Sequence, residues 1–243
     1  MMNDRVKQIV AMGGGGFSME PENPLLDRYI LNLTQSETPK VLFLPTASGD
    51  RDRYIVRFYS AFLKFPCIPS HLSLFNAPLA DLRSLIFAQD ILYVGGGSTK
   101  NLIALWKAWE LDQILREAWE RGIVLCGLSA GSLCWFESGV SDYLNNGEMA
   151  VLQCLGFLPG SHCPHYDGEA TRRPAYHQFV EQSRLPAGYA ADDGVGLHFI
   201  GDQLSAIVSS RPDAKAYRVK KIGDSVHETP LQPRYLGDSS IQK

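Results

Sequence analysis

The chain has 243 residues, a length that fits one large α/β unit, so residues 1–243 are expected to form a single domain. Hydrophobic residues make up 45% and charged residues 20%, and 23 Lys plus Arg stand against 26 Asp plus Glu for a formal charge of −3. This composition excludes a disordered or collagen-like chain, and it supplies no positive field to hold a nucleic-acid backbone or an anionic membrane. Five cysteines without a CxxC spacing argue against a secreted disulfide framework or structural zinc, and they read as mostly buried thiols. The apolar run Ile9 to Met12 is too short for a signal peptide or a membrane span, which makes a cytoplasmic location the expectation.

Short apolar runs at Gln8 to Met12, Lys40 to Pro45, Ile68 to Leu74, Asp90 to Val94 and Ile123 to Gly127 read as buried strands. Between them, Pro24 to Leu33, Arg53 to Phe65 and Asn101 to Trp119 carry apolar residues at helical spacing. The alternation predicts a mostly parallel sheet with helices on both faces. Later the chain predicts a helix near Glu169 to Gln182. Shorter runs follow at Val195 to Ile200, Gln203 to Ser209 and Ala214 to Lys220, expected as hairpins on one edge of that sheet. The polar tail with Pro230 and Pro233 is expected to fray.

Gly127-Leu128-Ser129-Ala130-Gly131 follows one of these strands and precedes an expected helix, Ser132 to Glu137, which is the setting of a nucleophile elbow. Such a turn raises the serine above the sheet, and small residues two places before and after it avoid collision. A serine hydroxyl needs a base, itself oriented by a third group. Of six histidines, His162 and His165 lie in a turn-rich segment suited to function, and His165 is favoured because Pro164 stiffens its approach. His71, His177, His198 and His227 are explained as packing or surface residues. For the acid, Asp193 at the strand junction Asp192-Asp193-Gly194 is preferred, with Asp142 as rival. The order Ser129, His165, Asp193 differs from that of the α/β-hydrolases, so another fold is expected to carry it.

Val94-Gly95-Gly96-Gly97-Ser98-Thr99 also joins a strand to a helix, where open α/β sheets bind ligands. The amides of Gly97 and Ala130 are candidates for an oxyanion hole. Gly13 to Gly16 fails the GxGxxG pattern, because Ser18 stands at its last position, and is expected as a flexible loop near the cleft.

Together the Val94-Gly95-Gly96-Gly97 loop, the Ser129 elbow, Pro164-His165 and Asp193-Gly194 resemble the peptidase E family of serine peptidases, which includes aspartyl dipeptidase and the cyanophycinases. The resemblance runs from the first strand to about residue 220. It implies a fold similar to class I glutamine amidotransferases, with Ser129 as nucleophile, His165 as base, Asp193 as acid, and Gly97 and Ala130 as oxyanion donors. The best-known aspartyl dipeptidases carry glutamate where Asp193 stands, and Asp142 falls where the family often has a supporting aspartate. The family's substrate-binding arginine falls at Arg172 or Arg173, a chemistry suited to a carboxylate.

The expectation is a serine hydrolase of short peptides, including dipeptides with N-terminal Asp, needing neither cofactor nor metal. Two alternatives remain. One is a metal-dependent hydrolase built on His162, His165, Asp167 and Glu169; the other is a non-catalytic module binding a small ligand in the same cleft. Apolar positions on the long helical segment leave a homodimer open.

Overall fold

The computed structural model describes residues 6–76, 81–142 and 148–238. In the first half, β1 (Gln8–Met12) leads through α1 (Gly16–Met19) and α2 (Leu25–Leu31) to β2 (Lys40–Leu44). Then come α3 (Asp52–Phe62), β3 (Ile68–His71), α4 (Leu82–Phe87) and β4 (Ile91–Val94). Helices α5 (Thr99–Ala108) and α6 (Leu111–Glu120) precede β5 (Val124–Leu128) and the single turn α7 (Ala130–Leu133).

The strands alternate their side chains between two cores. Ile9, Ala11, Leu42, Leu44, Leu92 and Val94 pack against α5 and α6, whereas Val10, Met12, Val41, Phe43, Ile91 and Tyr93 pack against α1, α2 and α3. Strands buried on both faces need continuous apolar runs, which is why β1, β2, β4 and β5 were legible, while the edge strand β3 is only partly buried. β1, β5, β4, β2 and β3 are mutually parallel neighbours in that order. Their carboxyl ends, and the loops after them, share one edge.

The single helix expected over residues 101–119 is two. Leu102 and Trp106 lie on one face, but the next buried anchor is Leu111, and five residues turn an α-helix about 140° off that face. A break at Glu110, with φ 53°, resets the phase so that Leu111, Leu115 and Trp119 also reach the core.

The second half departs further from expectation. After α7 the chain enters β6 (Phe136–Ser141), not a longer helix, followed by β7 (Ala150–Gln153), β8 (Leu158–Cys163), α8 (Arg172–Glu181) and β9 (Gly188–Ala191). β10 (Val195–Ile200) and β11 (Gln203–Ser209) form the expected edge hairpin, β10 running antiparallel to β1. β12 (Ala216–Ile222) and β13 (Ser225–Leu231) do not join that edge, while β14 (Arg234–Tyr235) extends it beside β11. They complete a second, six-stranded sheet in the order β13-β12-β9-β8-β6-β7, with α8 packed on it through Tyr176, Phe179 and Val180. β6 and β8 hide polar residues, Ser138, Ser141, Ser161 and His162, so no apolar run announced these two strands. The tail expected to fray is instead paired where Pro230 lies in β13 and where β14 joins β11, and residues 239–243 lie outside the described residues. Among the described residues no helix is long and apolar enough to cross a membrane.

One buried charge site matters for stability. Asp27 on α2 is 2% exposed and accepts a hydrogen bond from Tyr93 Oη at 3.0 Å. Burial outweighs that bond and pushes the carboxyl up from 3.8 to about 7. Between those values the native state keeps a proton that the unfolded chain has released, so stability falls as pH rises through that window and levels above it. Asp27→Asn keeps the acceptor for Tyr93 and removes the charge. Urea unfolding across this range should show a flattened slope and a gain on the order of a few kcal/mol above neutrality. Parallel pH profiles for wild type and variant would refute the assignment.

Candidate active site

Ser129 stands directly after β5 with φ 56° and ψ −117°, a conformation that costs a non-glycine residue on the order of 1–3 kcal/mol. Its amide donates to Met12 O at 3.2 Å, fixing the turn to the end of β1. A Cβ at residue 127 would lie 2.3 Å from Gly131 O, and one at residue 131 would lie 2.3 Å from Val94 O, so both flanking glycines are required by space. The Ser129 side chain does not cap α7.

Behind this turn sits a residue pair that sequence reasoning did not connect. Ser132 Oγ donates to Ser129 O at 2.8 Å and lies 3.1 Å from His162 Nε2. His162 stacks on Phe136 with centroids 4.7 Å apart, and burial lowers its pKa to about 3. The neutral ring donates from Nδ1 to Tyr189 O at 3.1 Å, leaving Nε2 as an acceptor. One hydroxyl proton is therefore shared between Ser129 O and His162, and His162 braces the elbow against the second sheet.

His165 follows β8 in a tight turn. It has φ 54°, and its carbonyl accepts from Gly168 N at 3.2 Å. The turn is tied to the end of β9: Tyr166 N donates to Ala191 O at 3.1 Å, and Asp193 N donates to Asp167 Oδ1 at 2.8 Å. This brings His165 Nδ1 to 2.6 Å from Asp193 Oδ1. Burial alone would push the Asp193 carboxyl up; the bond to His165 and the charges of His165, Arg211 and Arg172 outweigh it and hold the group below the ordinary carboxylate range. Neighbouring Asp192 points the other way, accepting from Lys215 N at 2.9 Å, and burial lifts its pKa to about 6. Asp142 is exposed at the end of β6, and no hydrogen bond joins it to His165 among the described residues.

The Gly13 to Gly16 loop, expected to be flexible, is instead pinned against this acid. Gly13 N donates to Val195 O at 3.0 Å and Gly194 N to Gly14 O at 3.1 Å. A Cβ on residue 14 would stand 2.1 Å from Asp193 Oδ1, so glycine there makes room for the carboxylate.

Ser129 and His165 line one cleft of about 850 Å³, together with Thr46 to Gly49, Gly96 to Ser98 and, from α3 and its entry, Arg51, Arg53, Tyr54 and Arg57. No hydrogen bond joins Ser129 to His165 among the described residues, and contacts of this kind tighten in the complex with substrate. The amide of Gly96 donates to Tyr54 Oη at 3.1 Å and that of Ser98 to Ala47 O at 2.8 Å. The Gly97 amide between them has no acceptor among the described residues.

Arg172 and Arg173, expected at the substrate, do not line this cleft. Arg172 is buried, with Nε 2.8 Å from Glu169 Oε2, and its Nη1 donates to Val140 O at 3.4 Å. Arg173 pairs with Glu228 and lies over the rings of Tyr166 and Tyr217. Both guanidiniums are committed to holding α8 on the second sheet. The donors considered for a metal are likewise engaged one by one: His162 with Ser132, His165 with Asp193, Asp167 with a backbone amide and Glu169 with Arg172.

A strained serine at a strand-to-helix turn, opening on a cleft at the carboxyl ends of a parallel sheet, defines an α/β enzyme of the nucleophile-elbow class. Residues 9–207 match the model of peptidase family S51, and the chain belongs to that family of serine peptidases. It is 59% identical to the uncharacterized peptidase YgaJ of Bacillus subtilis (strain 168) over 232 residues, covering 96% of this chain and all of that one. A Peptidase E of Shewanella amazonensis is 30% identical over 165 residues, covering 63% of this chain and 65% of its own. Among solved structures, a peptidase from an acI-B1 Actinobacterium superposes with a TM-score of 0.65 at 18% identity, over 94% of this chain and 95% of that one. A putative Peptidase E from Listeria monocytogenes EGD-e gives 0.57 at 17% identity, over 93% and 100%. These two likenesses bear on the fold.

Proposed function

We propose that this peptidase cleaves short peptides, dipeptides among them, through an acyl-enzyme on Ser129. His165 takes the serine proton and returns it to the leaving amine, Asp193 orients the ring, and the amides of Gly97 and Ala130 stabilise the oxyanion. The observation that carries this reading is the 2.6 Å contact of Asp193 with Nδ1 of His165, the histidine that lines the cleft with Ser129. With Nδ1–H donating to the carboxylate, Nε2 is left as the acceptor a general base requires. A preference for N-terminal Asp draws no support from Arg172 or Arg173, whose guanidiniums are paired elsewhere.

A fluorophosphonate probe should label the wild-type protein on Ser129, and a dipeptide panel should identify a hydrolysed substrate. Failure of the folded protein to react with the probe would remove the nucleophile from this scheme.

The close contact at residue 14 supplies a second test. In Gly14→Ala the added methyl has to displace the Asp193 carboxylate or the loop, so kcat should fall about a hundredfold, the cost typical of a small misplacement at a catalytic group. Thermal melting separates this from unfolding. An active, normally melting variant would mean that the acid has room to spare and is not held for catalysis.

A further inference from the structure

The charge on the cleft wall is opposite in sign to that of the chain. Among the described residues its lining includes three arginines, Arg51, Arg53 and Arg57, and no aspartate or glutamate, although the formal charge of the whole chain is −3. Some arginines elsewhere have carboxylate partners, Arg172 with Glu169, Arg173 with Glu228 and Arg211 with Glu20, and others, such as Arg184 and Arg218, lie over aromatic rings. Arg51 and Arg53 have no ion-pair partner among the described residues. Of the two acids adjacent in sequence, Asp52 makes no ion pair with either arginine among the described residues, and Asp50 is turned away, accepting through Oδ2 from Ser73 Oγ at 2.7 Å, Leu74 N at 2.7 Å and Phe75 N at 3.1 Å. Arg57 is steadied by donating from Nη1 to Ser18 O at 2.7 Å, which occupies one of its five N–H groups.

Three cations on one wall of a cleft repel one another when it is empty, and each keeps a planar fork matched to a carboxylate. We infer that Arg51, Arg53 and Arg57 form a carboxylate-binding subsite of the Ser129 cleft, so that the peptides it takes carry a free carboxylate, at the C-terminus or on an acidic side chain. This rests on the peptidase reading of the cleft and adds the residues that set its substrate class. It also moves anion recognition from α8, where sequence reasoning put it, to the start of α3.

Binding to Ser129→Ala protein, measured by calorimetry, tests the subsite apart from catalysis. Ala-Leu against its C-terminal amide reads the main-chain carboxylate; the amides of Asp-Leu and Asn-Leu read the side-chain one. In one arm the acid should bind on the order of tenfold or more tightly than its neutral partner, as charge-assisted hydrogen bonds predict. The preference should shrink when Arg51→Gln and Arg53→Gln are added together and survive in part with lysine at both positions, which keeps charge without the fork. Equal binding of acid and neutral peptides in both arms overturns the inference, as does binding of none of the four or a preference unchanged by the double glutamine variant. Loss of probe labelling at Ser129 in wild type would instead sink the catalytic reading, and this binding comparison would still decide the subsite.

Discussion

Ser129→Ala should lower kcat for the best dipeptide by about four to six powers of ten, the range seen when the nucleophile of a serine triad is removed. Its stability should hardly change. A serine acting as a helix cap would lose about 1 kcal/mol on such a substitution, but the Ser129 side chain caps nothing here. Ser129→Gly makes the complementary point, because it frees a residue held at φ 56° and should raise the melting temperature while abolishing turnover. A rise in stability with loss of activity is the signature of strain kept for function. If alanine retained wild-type turnover, the elbow would be a structural turn and another group would have to attack.

Asp193→Asn carries the second large effect. In the proposed triad the carboxylate, 2.6 Å from His165 Nδ1, accepts the Nδ1 proton and leaves Nε2 as the acceptor. An amide can instead present its NH2 group to Nδ1, which shifts the ring proton to Nε2 and blocks its use as a base. By analogy with other triads kcat should drop by about 10⁴, with KM much less affected. Asp142→Asn is the control, since that side chain is exposed and makes no hydrogen bond to His165 among the described residues. A large loss in the Asp142 variant with a small one in the Asp193 variant would reverse the two assignments.

Much of the candidate site's geometry is legible in the sequence because its signals are local. Four of the five parallel strands, β1, β2, β4 and β5, are largely buried on both faces and so appear as apolar runs, and loops at their carboxyl ends carry the glycines that close backbone approach demands. Ser129 is marked by Gly127 and Gly131, two residues away on either side, for a steric reason confined to one turn and its neighbouring strand. His165 and Asp193 were harder, being 28 residues apart, and only the turn chemistry around each suggested them.

Other features had no local signal. The second sheet hides serines and a histidine that are satisfied by partners distant in sequence, as Ser161 is by Tyr176 and His162 by Tyr189, so its strands lacked the expected pattern. Arg172 and Arg173 carry the right chemistry for a substrate carboxylate, yet Glu169 and Glu228 already occupy them. No sequence motif marks Arg51, Arg53 and Arg57, and only the path of the chain brings them to the cleft that Ser129 lines.

What the amino-acid order determined alone was the layered α/β scaffold and the strained serine turn, since periodicity and steric size act between near neighbours. Tertiary structure decided which charges are spent on holding the protein together and which are left facing the cleft. That outcome depends on whether a partner of opposite sign lies within a few ångströms, and folding brings those partners from far along the chain.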